Sequence, residues 1–179
     1  MITPVVNTAP ALFDVQIAAI NLLYTEFNTF GKAQILVKSN DKKQEYKYPG
    51  VLLEGNNYYP MLPNKDIMPF SFWVLDEPYE ITPEVSASGN MTKATCRASL
   101  IFWGDLTKVL NYRFRATENM KKYLLDKMTL RNIFRIEQIF EQGDRVMDGF
   151  SIREIDNQYL MQPYFALRFT GKLLCRQKC

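Results

Sequence analysis

The side chains in this sequence with the chemistry to act are three cysteines, a few paired carboxylates and two arginines set around a phenylalanine, and none has a histidine to work with. Without imidazole, the Ser-His-Asp and Cys-His nucleophile systems, histidine-bound metals and the commonest general base near neutral pH are excluded. Catalysis by Asp, Glu, Lys or Tyr stays chemically open but has no motif behind it, so the residues read as those of a protein that is not an enzyme. Cys175 and Cys179 do not form a metal signature by their spacing, and with Cys96 they leave a tetrahedral site one ligand short. No metal and no other cofactor is expected. An odd number of cysteines in a chain this long points to free thiols in a reducing compartment.

The carboxylate pairs Asp76 and Glu77, and Asp144 and Asp148, sit in turn-like contexts where acids are ordinary. The Asp144 region lacks the dense alternation of oxygen ligands that a calcium loop needs, so neither pair is assigned a function. The eight glycines are scattered, and none falls in a GxGxxG or GxxxxGK[ST] spacing, which excludes nucleotide binding through a familiar phosphate loop. In "NYRFRAT", Arg113 and Arg115 flank Phe114 in the basic and aromatic interleaving of single-strand nucleic acid binders, a pattern that solvated faces also produce. The aromatics between residues 55 and 75 have two readings. Tyr58, Tyr59, Phe70, Phe72 and Trp73 suit a protein contact, where aromatic rings bury well, and suit equally a satellite core beneath a loop.

Elements must position these groups. The chain has 179 residues, 47% apolar and 13% aromatic, which suits one folded domain with a sizeable core. "NTAPALFDVQIAAINLLYTEFNTFGK" reads as a helix: Phe13, Ile17, Ile20, Tyr24 and Phe27 recur at steps of three and four, Asn7 or Thr8 can cap it, Pro10 suits the first turn and Gly31 can end it. "AQILVKS" and "QEYKYPGVLLEG" read as a hairpin turning at Asn40 to Lys43. From Gly55 to Thr92 five prolines interrupt the chain, and apart from a short strand at "FSFWVL" the segment reads as extended loop, "DEPYEITPEVSASGNMTK" above all.

Strand periodicity returns in "ATCRASLIFWGDL", which stops at Gly104 with Asp105 placed to cap a following helix. Leu106, Val109, Leu110 and Phe114 mark that short helix, and Thr117 opens another bearing Met120, Tyr123, Leu124 and Met128. "RNIFRIEQIFEQ" fits strand and helix periods alike, and is taken as a strand because "PYFALRFTG" needs a neighbour. In that last strand Phe165, Leu167, Phe169, Leu173 and Cys175 fall on one face and Ala166, Arg168, Thr170 and Lys172 on the other, the pattern of a half-buried strand. Helices after a central strand make the class α+β.

Charge is uneven along the chain. Residues 1–92 carry six lysines, no arginine and ten acids, whereas residues 93–179 carry sixteen basic and nine acidic residues. Such a division suits a molecule with an acidic and a basic aspect, able to meet copies of itself head to tail. No apolar run approaches the roughly 18 residues that span a bilayer, and no charged and apolar leader stands at the start, so a soluble, unexported protein with no membrane partner is expected.

Long helix, hairpin, Pro-rich excursion, hydrophobic strand, helix and closing strands follow the order of elements in the tail-completion or tail-terminator proteins of tailed bacteriophages, and the sequence resembles that family over most of its length. "YPGVLLEG", "RASLIFWGDL" and "YLMQPYFALRFTGKL" are its most specific pieces, and the last is similar to virion proteins of crAss-like phages infecting Bacteroidetes. The resemblance implies a single domain over residues 1–179: a mixed, mainly antiparallel sheet with the N-terminal helix and one or two further helices packed on it, and residues 55–92 as a loop or hairpin excursion. It implies a structural virion protein made in the host cytoplasm, forming a homo-oligomeric ring in the neck or tail. The expected partners are the portal and other neck or tail rings, with DNA passing through the lumen without sequence-specific contact. The subunit-interface candidates are then Tyr58, Tyr59, Phe70, Phe72, Trp73, Tyr79, Arg113 and Arg115. The alternative from another class is a nucleic-acid-binding accessory protein of a mobile element, using the basic second half.

Overall fold

The strand β6, Gly89–Asp105, is apolar on both sides, and the rest of the molecule is arranged around it. Ala94, Cys96, Ala98, Leu100 and Phe102 enter one core and Ile101 and Trp103 enter a second. A strand with that composition has to be covered on both faces. The computed structural model describes residues 12–39, 45–53, 57–76, 78–86, 89–109, 116–128, 133–141, 143–151, 155 and 157–178.

β8, Tyr164–Lys178, runs antiparallel along the whole of one edge of β6, from Asp105 opposite Tyr164 to Met91 opposite Lys178. The other edge is shared between β4, Phe70–Leu75, and β5, Glu80–Ser86, both antiparallel to β6. β1, Asn28–Ser39, starts parallel to β4 and continues as an antiparallel partner of β2, Glu45–Leu53, on which β3, Asn57–Pro60, is laid. β7, Phe134–Phe140, closes the far side on β8. The eight strands thus run in the order β3-β2-β1-β4-β6-β8-β7, with β5 attached to β6. The fold is α+β with a mixed, mostly antiparallel sheet and an N-terminal helix.

One face is closed by helices. α1, Asp14–Asn21, and α3, Ala116–Met128, bring Ile17, Ile20, Met120, Leu124 and Met128 into a core with Leu100, Phe102, Leu167 and Phe169. Phe102 lies at its centre, edge-on to Tyr24 at 4.9 Å, Phe27 at 5.0 Å and Phe169 at 5.8 Å between ring centroids. On this face the polar ends of two buried aromatics are satisfied: Tyr24 Oη donates to the Leu124 carbonyl at 3.0 Å, and Trp73 Nε1 donates to Asn21 Oδ1 at 3.0 Å, whereas Trp103 Nε1, in the second core, is buried with no partner among the described residues. At the rim, Glu26 accepts from Tyr123 Oη and from Lys127 Nζ, and Lys127 Nζ lies 4.4 Å from the Tyr123 ring centroid. Burial works against the Glu26 carboxylate, but the hydrogen bonds and the Lys127 ammonium outweigh it and hold its pKa below the ordinary value. Asp105 caps α2, Leu106–Val109, accepting from the Thr107 amide at 2.9 Å, as its position in the sequence leads one to expect.

Several sequence-based expectations need correction. The first helix stops at Asn21 rather than Gly31, and Gly31 lies in β1. Tyr24 and Phe27 still point inward, from the turn between the two elements, because their spacing records burial and not backbone geometry. Asn7, Thr8 and Pro10 lie outside the described residues, as do the Asn40–Lys43 turn, Leu110 and Phe114. Residues 55–92 are not mainly loop: β3, β4, β5 and the first residues of β6 occupy more than half of the segment, β5 and β6 as a hairpin, and β4 is an interior strand of the sheet. Pro83 is accommodated because β5 pairs with β6 alone, and an edge strand tolerates a residue without an N–H. β8 is not half-buried over its first half, since Arg168, Thr170 and Gly171 are buried along with Phe169. Gly171 sits where β7 shifts register, and a Cβ there would run into the Arg135 carbonyl.

Candidate functional site

The aromatics singled out in the sequence separate into two groups. Phe70, Phe72 and Trp73 are fully buried, Phe70 and Phe72 in the second core and Trp73 in the helix-covered one. They are corrected from interface candidates to core residues, since an interior strand carries side chains to both faces of the sheet. Tyr59 is half-buried against the second core, its Oη accepting from Asn64 Nδ2 at 3.3 Å. Tyr79 packs edge-on to Phe13 at 5.2 Å and accepts from Lys32 Nζ at 3.1 Å. Tyr58, on β3, remains exposed at 46%. Arg113 and Arg115 lie outside the described residues.

Two β-ribbons carry exposed apolar side chains. Over Ala33–Ser39, β1 has β2 as its only partner among the described residues, and Ile35 and Val37 stand out at 59% and 54% exposure. β5 likewise has a free edge opposite β6, with Ile81 exposed at 64% and Glu84 paired to Arg176 at 3.1 Å. The stretch from Asp76 onward, read as loop, is mostly this hairpin.

On the second face of the sheet, beside Ile35 of the β1 ribbon, lies a groove of about 390 Å³ that sequence reasoning missed. Its floor is built by register: Ser99 stands opposite Thr170, Ile101 opposite Arg168, and Gln138 and Phe140 of β7 opposite Thr170 and Arg168. Its wall is α4, Gly143–Val146, with the turn through Asp148, Gly149 and Phe150 that follows, where Gly149 adopts a positive φ of 89° that favours glycine. That wall is fastened to β2 by the Ser151 amide donating to the Lys47 carbonyl at 2.6 Å and the Lys47 amide donating to Ser151 Oγ at 3.1 Å.

Arg168 is the unusual member, a guanidinium only 8% exposed. Its Nε donates to Ser99 Oγ at 3.0 Å, and its Nη1 to the Asp148 carbonyl at 2.9 Å. Ser99 Oγ also lies 3.1 Å from Thr170 Oγ1. Burial pulls the Arg168 pKa down; Asp148 and Asp76 oppose that shift and Arg97 adds to it. The alternation of "ALRFTG" places Arg168 on the face away from Phe169, and only the apolar partners on β6, Ile101 and Trp103, signal that this face is covered as well.

No protein-family model matches the chain, and no curated protein matches it. The remaining sites offer little chemistry. Cys96 and Cys175 are free and buried, and burial pushes the Cys96 thiol up to about 11, far from a reactive thiolate. Cys179 lies outside the described residues. No group of three or more metal-ligating side chains occurs among the described residues, and no helix there is long and apolar enough to cross a membrane.

Proposed function

We propose that the protein is a structural virion component of a tailed bacteriophage, one subunit of a ring in the neck or tail that connects the portal to the tail and lets DNA pass. The observation that carries this reading is the pair of unlike β-ribbons, each with a strand edge unpaired among the described residues and an exposed apolar side chain. Open edges invite pairing with another chain. Contact between two different surfaces of identical subunits is heterologous and closes into a ring when the rotation permits. Portal and tail rings are the proposed axial neighbours, and the DNA is a passing polymer rather than a sequence read by contacts.

The test uses the β5–β6 hairpin. Excising Pro83–Thr92 and joining Thr82 to Lys93 through Asn-Gly retains the Ile81–Ala94 pairing and removes the ribbon. The full chain should form closed rings in class-averaged electron micrographs and enter particles in a complementation assay. The shortened chain should melt cooperatively as a monomer and stay out of the particle. A full chain that is monomeric at every concentration and absent from particles would sink the proposal. A steep fall of DNA affinity with salt would instead favour the nucleic-acid-binding alternative.

A further inference from the structure

The groove on the second face holds a charge that the fold leaves incompletely matched. Of the five N–H donors of Arg168, one on Nε and one on Nη1 have protein acceptors, and both on Nη2 have none among the described residues. No carboxylate of those residues forms an ion pair with it, although Asp76 and Asp148 line the same groove. Nη2 is not enclosed: the buried side-chain atoms without a partner among the described residues are Ser71 Oγ and Trp103 Nε1, and Nη2 opens into the groove. Fastening the α4 turn to the sheet accounts for Nη1 and leaves Nη2 unexplained. Arg97, exposed beside it, likewise has no hydrogen bond or ion pair through its side chain among the described residues.

We propose that this groove binds a carboxylate, received by Nη2 of Arg168 with Arg97 at the mouth, and that the apolar body of the ligand lies against Ile35, Phe140 and Phe150. Asp76 and Asp148 line the same groove and decide for carboxylate over phosphate. A phosphate brings close to two negative charges toward these two aspartates, and a carboxylate only one. Guanidinium also matches the planar carboxylate in geometry. The volume is several times what one carboxylate fills and lies in the range of small-ligand sites, about 300–1,000 Å³, so the ligand has a body as well as a charge.

The experiment is a titration of the full, isotope-labelled chain followed by NMR. Hexanoate should shift the Arg168 Nε–Hε signal and the amides of Gln138, Gly149 and Thr170 saturably. Hexanol, with the same number of carbons, and inorganic phosphate should each bind at least tenfold more weakly. Arg97→Ala should weaken hexanoate at least threefold, and Arg168→Gln should abolish its binding. Should Arg168→Gln fail to fold, Arg97→Glu, at an exposed position, should cost at least tenfold. Acetyl-Gly-Glu-Gly-amide distinguishes the sources: tighter binding than hexanoate assigns the site to an acidic side chain of another polypeptide, and weaker binding to a small acid. Equal affinity for hexanoate and hexanol, tighter binding of phosphate, or shifts confined to residues outside the groove would overturn the proposal. Because the titration reads a site within one subunit, it stands whether or not the chain forms rings.

Discussion

The two faces of the central sheet differ in how completely the chain covers them. Behind Phe102 the rings of Tyr24, Phe27 and Phe169 meet edge to edge, with two helices over them. On the opposite face the apolar packing around Ile101 and Trp103 gives way within one or two residues along the strands to Ser99, Thr170 and Arg168, under a short helix and a turn. The first face is self-sufficient in the way of a protein interior, whereas the second keeps a buried polar floor beneath a groove. The division teaches that stability and recognition have been assigned to opposite sides of the same strands, β6 and β8.

The largest effect should come from the closed face. Phe102→Ala removes the ring common to three edge-on contacts and should destabilise the fold by about 3–5 kcal/mol, measured by denaturant unfolding. Ser99→Ala, on the open face, takes away the acceptor of the Arg168 Nε and should cost about 1–3 kcal/mol, because a buried charged donor is left unsatisfied. If Ser99→Ala costs as much as Phe102→Ala, the open face is as much a core as the closed one and the comparison breaks. The smallest effect concerns the rim. With its folded pKa below the ordinary 4.5, Glu26 contributes stability that is complete above that value and is lost as the pH falls below it. The carboxylate side chain is 41% exposed, so screening holds the contribution under about 1 kcal/mol. Glu26→Gln should flatten the acid limb of the melting temperature against pH and leave the neutral limb nearly unchanged; an unaltered acid limb would remove Glu26 from the account.

Much of the sheet was legible because its strands announce themselves by period and apolar content. β7 was found from the need of β8 for a neighbour, and the β1–β2 hairpin and α3 from their patterns. The Pro-rich segment misled for a physical reason. Proline excludes interior ladder positions, but Pro60 ends β3, Pro69 precedes β4 and Pro83 sits on an edge, so each falls where a missing N–H is harmless. "FSFWVL" was seen as a strand but not as an interior one, although its nearly continuous apolar run is the mark of burial on two sides. The groove was not legible. Arg97, Asp148 and Arg168 come from separate elements, and only strand register brings them together.

The pairing of β6 with β8 has a consequence for synthesis. A ribosome delivers Gly89–Asp105 well before Tyr164–Lys178, and through the whole of that interval one edge of β6 presents an unfilled ladder with Leu100, Ile101 and Phe102 beside it. Neighbouring ribosomes on the same message hold identical unfinished strands, each able to take the place reserved for β8. Quick translation of residues 106–163 should therefore shorten the interval in which β6 can mispair.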